Sequence, residues 1–291
     1  MTKRSATFVG MTAILMWSLL AVLTVATGAI PPFQLAAVTF AIGAAVGGLG
    51  LLLRRTVLRT LRQPARAWLV GVGGLFGYHA LYFLALRFAP PAEAGLVNYL
   101  WPLLIVLFSA ILPGERLALH HVVGALLGLL GTVILFGGSG LSGSLLTYLP
   151  GLSAAFAAAF IWATYSVLSR RLAAVPTELV AGFCAATAVL AAIFHGLLER
   201  TVWPDSPRQW LAVAALGVGP VGAAFYAWDI GMKRGDIRII GAAAYVTPLL
   251  STGFLVAAGY AQPAASLLLA ALLIAGGGVI AAKDMLVPRG R

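Results

Sequence analysis

Charge is scarce in this chain, and acidic charge scarcest: 9% of the 291 residues are Asp, Glu, Lys or Arg, and only 8 are acidic. A soluble domain carries roughly a quarter charged residues, so composition excludes an ordinary soluble globular protein. Cysteine occurs once, at Cys184, which rules out an intrachain disulfide and reads as apolar filler within a span. The signatures of intramembrane hydrolysis are missing too: no HExxH, no GxSxG, and no paired histidines at membrane depth. Without convergent His, Asp or Glu there is nothing to hold a metal or run acid–base chemistry, so neither an enzyme nor a cofactor is expected. No ring-forming filter motif of a channel is present either.

What the chain has is apolar length. It is 61% hydrophobic with mean hydropathy +1.00. Ten apolar segments, at 7–29, 32–53, 67–88, 91–112, 119–136, 148–168, 177–197, 210–231, 238–258 and 265–283, each approach the ~20 residues that cross a bilayer as helix. The expectation is an all-α membrane protein of ten transmembrane helices with no room for a soluble domain. The first run follows Lys3 and Arg4 but exceeds a signal-peptide core, so it is read as helix 1.

The formal charge of +11 invites a nucleic-acid reading, but its distribution points to a membrane. With the amino terminus placed in the cytoplasm, the cytoplasmic segments hold Lys3, Arg4, Arg54, Arg55, Arg59, Arg62, Arg66, Arg116, Arg170, Arg171, Lys233, Arg234, Arg238, Lys283, Arg289 and Arg291. The other side keeps only Arg87, Arg200 and Arg208. This is the positive-inside pattern with both termini cytoplasmic, and the cations face anionic lipid rather than nucleic acid. Three Lys against sixteen Arg, with no evident targeting segment, fits a bacterial inner membrane.

Two strings repeat at an offset of 146: Tyr99-Leu100-Trp101-Pro102-Leu103-Leu104 and Tyr245-Val246-Thr247-Pro248-Leu249-Leu250. Each sets a proline inside an apolar span, removing a backbone donor where lipid cannot replace it. The ungapped match extends over 85–104 and 231–250 and pairs Gly95 with Gly241. At an offset of 145, Trp17 matches Trp162 and Gly131 matches Gly276. Two halves of five spans each must cross in opposite directions, an inverted repeat of residues 1–140 and 146–291 forming one transmembrane domain. The uncharged stretch Gly137–Thr147 is the expected joint. Interrupted spans at matching places in inverted halves are where transporters bind their cargo, so Pro102 and Pro248 are expected kinks beside a cavity. The clusters Gly71, Gly73, Gly74, Gly77 and Gly276-Gly277-Gly278 read as close helix packing, with sliding contacts between states as the sharper alternative.

Few polar or aromatic groups reach mid-membrane depth. Trp68, Trp203 and Trp210 lie at span ends, as an interfacial belt requires. Trp17, Tyr78, Tyr99, Trp162 and Tyr245 lie several turns inside and suit an aromatic pocket for a flat or apolar ligand, oriented by Tyr hydroxyls and Asn98; the ring faces also attract an ammonium group. His79, the only histidine deep in a span, is a neutral hydrogen-bonded ring, a substrate contact or a proton carrier. Asp229 pairs with Lys233, Arg234 or Arg238, or serves as a coupling carboxylate. Glu93 reads as a helix cap, and Glu115 with Arg116 as a solvated turn.

These features resemble the drug/metabolite transporter superfamily in its EamA-like branch. The string Glu93–Pro102 (EAGLVNYLWP) is similar to that of the YddG-type aromatic amino acid exporters within it. The resemblance implies a monomeric inner-membrane secondary transporter exporting aromatic amino acids by alternating access, with Trp17, Tyr78, His79, Tyr82, Asn98, Tyr99, Trp101, Trp162, Tyr226 and Tyr245 lining a central cavity. A broad drug or metabolite carrier is the alternative, and a channel or lipid flippase a more distant one. In the second half Asn98-Tyr99-Leu100-Trp101 becomes Ala244-Tyr245-Val246-Thr247, so helix 4 is expected to set selectivity.

Overall fold

Apolar runs become helices here, and short polar caps decide where they begin. The computed structural model describes residues 1–53, 55–113, 117–136, 145–260, 262, 266–281 and 283. Eight helical segments are long and apolar enough to cross a membrane: α1 (Lys3–Ala26), α2 (Pro32–Leu53), α3 (Ala65–Phe88), α4 (Glu93–Ile111), α6 (Leu146–Arg171), α7 (Thr177–Leu198), α8 (Pro207–Arg234) and α9 (Ile237–Ala257). Two shorter apolar helices, α5 (Leu119–Phe136) and α10 (Ser266–Ala281), complete the set among the described residues. The chain is thus a multi-pass membrane protein. The expected turn at Glu115-Arg116, and residues 137–144 of the expected joint, lie outside the described residues.

Three helices start earlier than hydrophobicity alone suggests. Thr2 accepts the Ser5 N–H, Ser206 accepts the Gln209 N–H ahead of Pro207, and Asp236 accepts from Arg238 and Ile239. Each satisfies a backbone donor that the first helical turn leaves over. Glu93 does not act in this way: Pro90 holds the cap position with no side-chain bond, and Glu93 lies in the first turn, where its charge meets the positive end of the helix.

The packing follows an exchange of the two halves. α1 packs most extensively on α8, α6 on α3, α2 on α7 and α5 on α10, while α4 lies against α6 and α9, and α9 against α1. Swapping each helix with the one five later reproduces the same list. Small residues make the tightest crossings, where helices approach with no side chain between them. A Cβ on Gly10 of α1 would meet the backbone of Gly231 on α8, and one on Gly277 of α10 would meet the Gly124 carbonyl on α5. Of the glycine cluster on α3, Gly74 backs onto the ring of Tyr165 and Gly71 onto that of Phe183. These glycines are packing devices.

Besides α1, which breaks at Leu19 between Lys3–Ser18 and Leu20–Ala26, three helices are interrupted. α4 runs Pro91–Asn98, breaks at Tyr99-Leu100, and resumes as Trp101–Phe108. α9 runs Ile237–Ala243, breaks at Ala244-Tyr245, and resumes as Val246–Ala257. Pro102 and Pro248 stand in the first turn of the second pieces, where a missing N–H has no intrahelical partner to lose. The interruption therefore precedes each ring rather than kinking the helix at it. The Ala244 carbonyl, which residue 248 would have engaged in a continuous helix, accepts from Thr247 N at 3.0 Å instead. The third interruption is a wide π-type turn at Gly219–Ala223 of α8, seeded by Gly219-Pro220.

Candidate functional site

The three interruptions converge. Between them lies a cavity of about 210 Å³ walled by α1, α3, α4, α6, α8 and α9. Trp17, Tyr78, His79, Tyr82, Asn98, Tyr99, Trp101 and Trp162 line it, together with Leu20, Ala21, Pro220, Val221, Phe225, Thr247 and Ser251. Two residues expected there stand elsewhere. Tyr226 projects from the other side of α8, its hydroxyl over Gly47 of α2. Tyr245 is fully buried against Gly128 of α5 among Val106, Ala125, Ala270 and Ile274. Both belong to helix–helix contacts; Tyr245, two residues before Thr247, faces the opposite side of α9.

The floor is tryptophan. The ring of Trp17 has its centroid 6.4 Å from Trp101, 5.5 Å from Trp162 and 4.9 Å from Trp228. Edge-to-face and tilted contacts at such separations are each worth about 0.5–1.5 kcal/mol beyond burial. Each indole that must lose water finds a partner: Trp17 Nε1 donates to the Pro220 carbonyl at 2.9 Å, and Trp228 Nε1 to Ser166 Oγ at 3.0 Å. The first bond depends on the π turn, which frees the carbonyl of Pro220. Trp162 and Tyr78 join floor to wall with centroids 5.3 Å apart.

His79 sits within aromatic rings, 5.0 Å from Phe40 and 5.1 Å from Tyr78. Its Nδ1 is 2.7 Å from the Leu75 carbonyl, which can only accept. The proton is therefore on Nδ1, and Nε2 offers a lone pair. On the opposite wall Asn98 Nδ2 donates to Tyr78 Oη at 3.0 Å. Among the described residues no Asp, Glu, Lys or Arg lines the cavity. Among the described residues no group of three or more His, Cys, Asp or Glu is placed to hold a metal ion.

Beneath the tryptophan floor lies a charged layer. Lys233 pairs with Asp229 at 2.8 Å and donates to the Val175 carbonyl at 2.9 Å, while Thr177 donates to Asp229 at 2.7 Å. Arg170 donates to the carbonyls of Lys233 and Gly235. In the α8–α9 turn Asp236 pairs with Lys3 at 3.0 Å and Arg238 at 2.9 Å, and its N–H reaches Thr7 Oγ1 at 2.8 Å. Burial alone pushes the Asp236 carboxyl up, but the bonds and charges of Arg238 and Lys3 outweigh it and hold it well below the usual carboxylate range. α1, α6, α7, α8 and α9 are thus tied together at this end. At the other end the cavity has no such cover: Leu20–Ala26 of α1 and residues 249–257 of α9 bury nothing.

Asp236 and Pro220 carry much of this geometry and were not singled out from sequence. Both left a signal: an Asp directly before an apolar run is a cap, and Gly-Pro within a span is an interruption.

Comparison with known proteins agrees with the geometry. A sequence profile described as the EamA-like transporter family matches the chain twice, at residues 4–137 and 149–282. A relative from Ancylobacter novellus named aromatic amino acid exporter YddG is 61% identical over 268 residues, covering 92% of this chain and 93% of that protein. A protein of the same name from Salmonella typhimurium is 29% identical, covering 87% and 88%. A solved crystal structure superposes with a TM-score of 0.91 at 60% identity, covering 95% of this chain and 96% of the other.

Proposed function

The chain belongs to the EamA-like transporter family, and from that membership we propose that it exports aromatic amino acids across a bacterial inner membrane by alternating access. The observation that carries this reading is the cavity itself. Its walls are indole, phenol and imidazole rings at stacking distance, with a few polar atoms and no fixed charge. Such a lining favours a flat, net-neutral ligand, because a net charge entering it would find no counter-ion. A volume of about 210 Å³ lies below the roughly 300–1,000 Å³ of drug-sized pockets, which disfavours nucleotides and sugar conjugates. The name shared by the Ancylobacter and Salmonella relatives agrees with this.

In the orientation that the basic residues favour, all ten helices cross the bilayer in two inverted sets of five and both termini face the cytoplasm. The charged layer then seals the cytoplasmic side, and the cavity faces outward. Residues 1–140 and 146–291 are the two inverted repeats of a monomer in contact with lipid, interlocked as one transmembrane domain. Trp17, Tyr78, His79, Tyr82, Asn98, Tyr99, Trp101 and Trp162 contact the substrate.

Counterflow in proteoliposomes tests the function. Preloaded tryptophan, phenylalanine or tyrosine should drive saturable uptake of the labelled amino acid, and nucleotides or sugars should not. Movement of sugars or nucleotides alone overturns the reading. His79→Ala and Tyr99→Ala should each cut the rate at unchanged membrane abundance; normal rates in both would refute the site.

A further inference from the structure

Among the described residues, each of the two symmetry-related interruptions leaves one polar atom in the cavity wall without a hydrogen-bond partner. On α4 it is Asn98 Oδ1; on α9 it is Thr247 Oγ1. Both residues are more than nine-tenths buried, at 4% and 7% exposure. A buried polar group with no hydrogen bond is costly, and in a binding cavity a ligand relieves that cost. The two residues stand on opposite sides of their breaks, Asn98 before and Thr247 after. Asn98 closes the piece Pro91–Asn98, and the negative end of a helix favours a cation. Thr247 stands in the first turn of Val246–Ala257, where the positive end favours an anion.

We propose that these two residues form the headgroup subsite for a zwitterion. Asn98 Oδ1 accepts from the substrate ammonium, and the Thr247 hydroxyl donates to the substrate carboxylate. The ring then lies on the tryptophan floor. An amide oxygen only accepts, so it answers an N–H donor and not a carboxylate. Solvent reaches neither atom in this conformation, so each bond forms as the walls close on the ligand. The two breaks thereby read the one feature common to all amino acids, and the rings read the side chain. This assignment rests on the aromatic amino acid reading above.

Three probes separate the two roles: phenylalanine, phenethylamine (no carboxylate) and 3-phenylpropionate (no ammonium), each competing with labelled tryptophan for the purified full-length protein. Thr247→Val should weaken phenylalanine and 3-phenylpropionate roughly ten- to hundredfold, the size of one hydrogen bond to a charge, and leave phenethylamine unchanged. Asn98→Leu should weaken phenylalanine and phenethylamine by the same factor and leave 3-phenylpropionate unchanged. Asn98→Asp, which keeps an acceptor beside Tyr78, should preserve phenethylamine binding and disfavour 3-phenylpropionate. The unchanged probe in each variant doubles as the folding control. Equal losses for all three probes, or the crossed pattern, would overturn the subsite while leaving the export reading intact. A wild-type protein that binds tryptophan and phenylalanine not at all overturns the export reading first, and the subsite with it.

Discussion

Lys233→Met is the perturbation that most directly measures what holds the sealed end shut. The Lys233 and Asp229 side chains are 5% and 2% exposed, and their charged atoms are 2.8 Å apart. At an effective dielectric constant of about 20 that separation corresponds to roughly 6 kcal/mol of attraction. Desolvating each ion offsets several kcal/mol, so the intact pair contributes little net stability. Removing one partner is another matter. It strands Asp229 with only the Thr177 hydroxyl and leaves the Val175 carbonyl without its donor, a loss of about 3–5 kcal/mol. At roughly 2–4 °C per kcal/mol, the unfolding midpoint in detergent should fall by about 6–20 °C. Asp229→Asn combined with Lys233→Met removes both charges and should recover most of that drop. The coupling, read as a double-mutant cycle, should exceed about 2 kcal/mol. A double variant no more stable than Lys233→Met alone would show that the lysine acts through its bond to Val175 rather than through charge pairing, and the argument would fail.

Three further outcomes follow from the same geometry. Trp17→Ala removes the central indole and its bond to Pro220 and should cost about 3–5 kcal/mol, whereas Trp17→Phe keeps most ring contacts and should cost about 1–2 kcal/mol; thermal melts of both separate packing from the hydrogen bond. Gly10→Leu should force α1 from α8 at Gly231 and destabilise by at least about 1–3 kcal/mol, while Gly73→Leu, facing open space, should leave the melt within about 1 kcal/mol of wild type. Asp236 is held ionised by Lys3 and Arg238, so its contribution is present above the unfolded carboxylate value near ~3.9 and is lost as pH falls toward its depressed folded value. Asp236→Asn should therefore lower the melting temperature most at neutral pH, with the gap to wild type closing below about pH 4.

Much of this architecture was legible because membrane helices announce themselves by composition. Hydrophobicity placed the helices Pro32–Leu53 and Leu119–Phe136 at their observed ends. It placed α1 and α8 too short, since Thr2 and Ser206 cap helices whose first turns are polar and carry no apolar signal. The cavity residues on α1, α3, α4 and α6 were legible because aromatic side chains far from a helix end have no interfacial reason to be there. Tyr226 and Tyr245 fit the same description and pack elsewhere, because depth along a helix says nothing about azimuth. Phe225, beside the misjudged Tyr226, is the ring that faces the cavity. The Asp229–Lys233 pair was readable from i, i+4 spacing. That Arg238 turns instead to Asp236 was missed, as was the Lys3–Asp236 pair, which joins residues more than two hundred positions apart.

The exchange of halves also explains why the two sides of the cavity differ. Trp17 and Trp162 occupy corresponding places in the two halves, and their rings meet 5.5 Å apart, as residues close to a two-fold axis must. Away from that axis, corresponding positions reach different surroundings and are free to diverge. Trp101 became part of the aromatic floor, while its counterpart Thr247 offers a hydroxyl; Asn98 offers an amide oxygen, while its counterpart Ala244 offers only a methyl group. A cavity that kept both tryptophans and both asparagines would present two equivalent orientations to a zwitterion and would fill with side chain. Loss of the second indole makes room, and the unlike polar atoms remove the degeneracy. Restoring symmetry with Thr247→Trp should therefore abolish binding of the amino acid by filling the cavity, while the helix pairing that follows the two-fold exchange, and with it the folded yield in detergent, should persist.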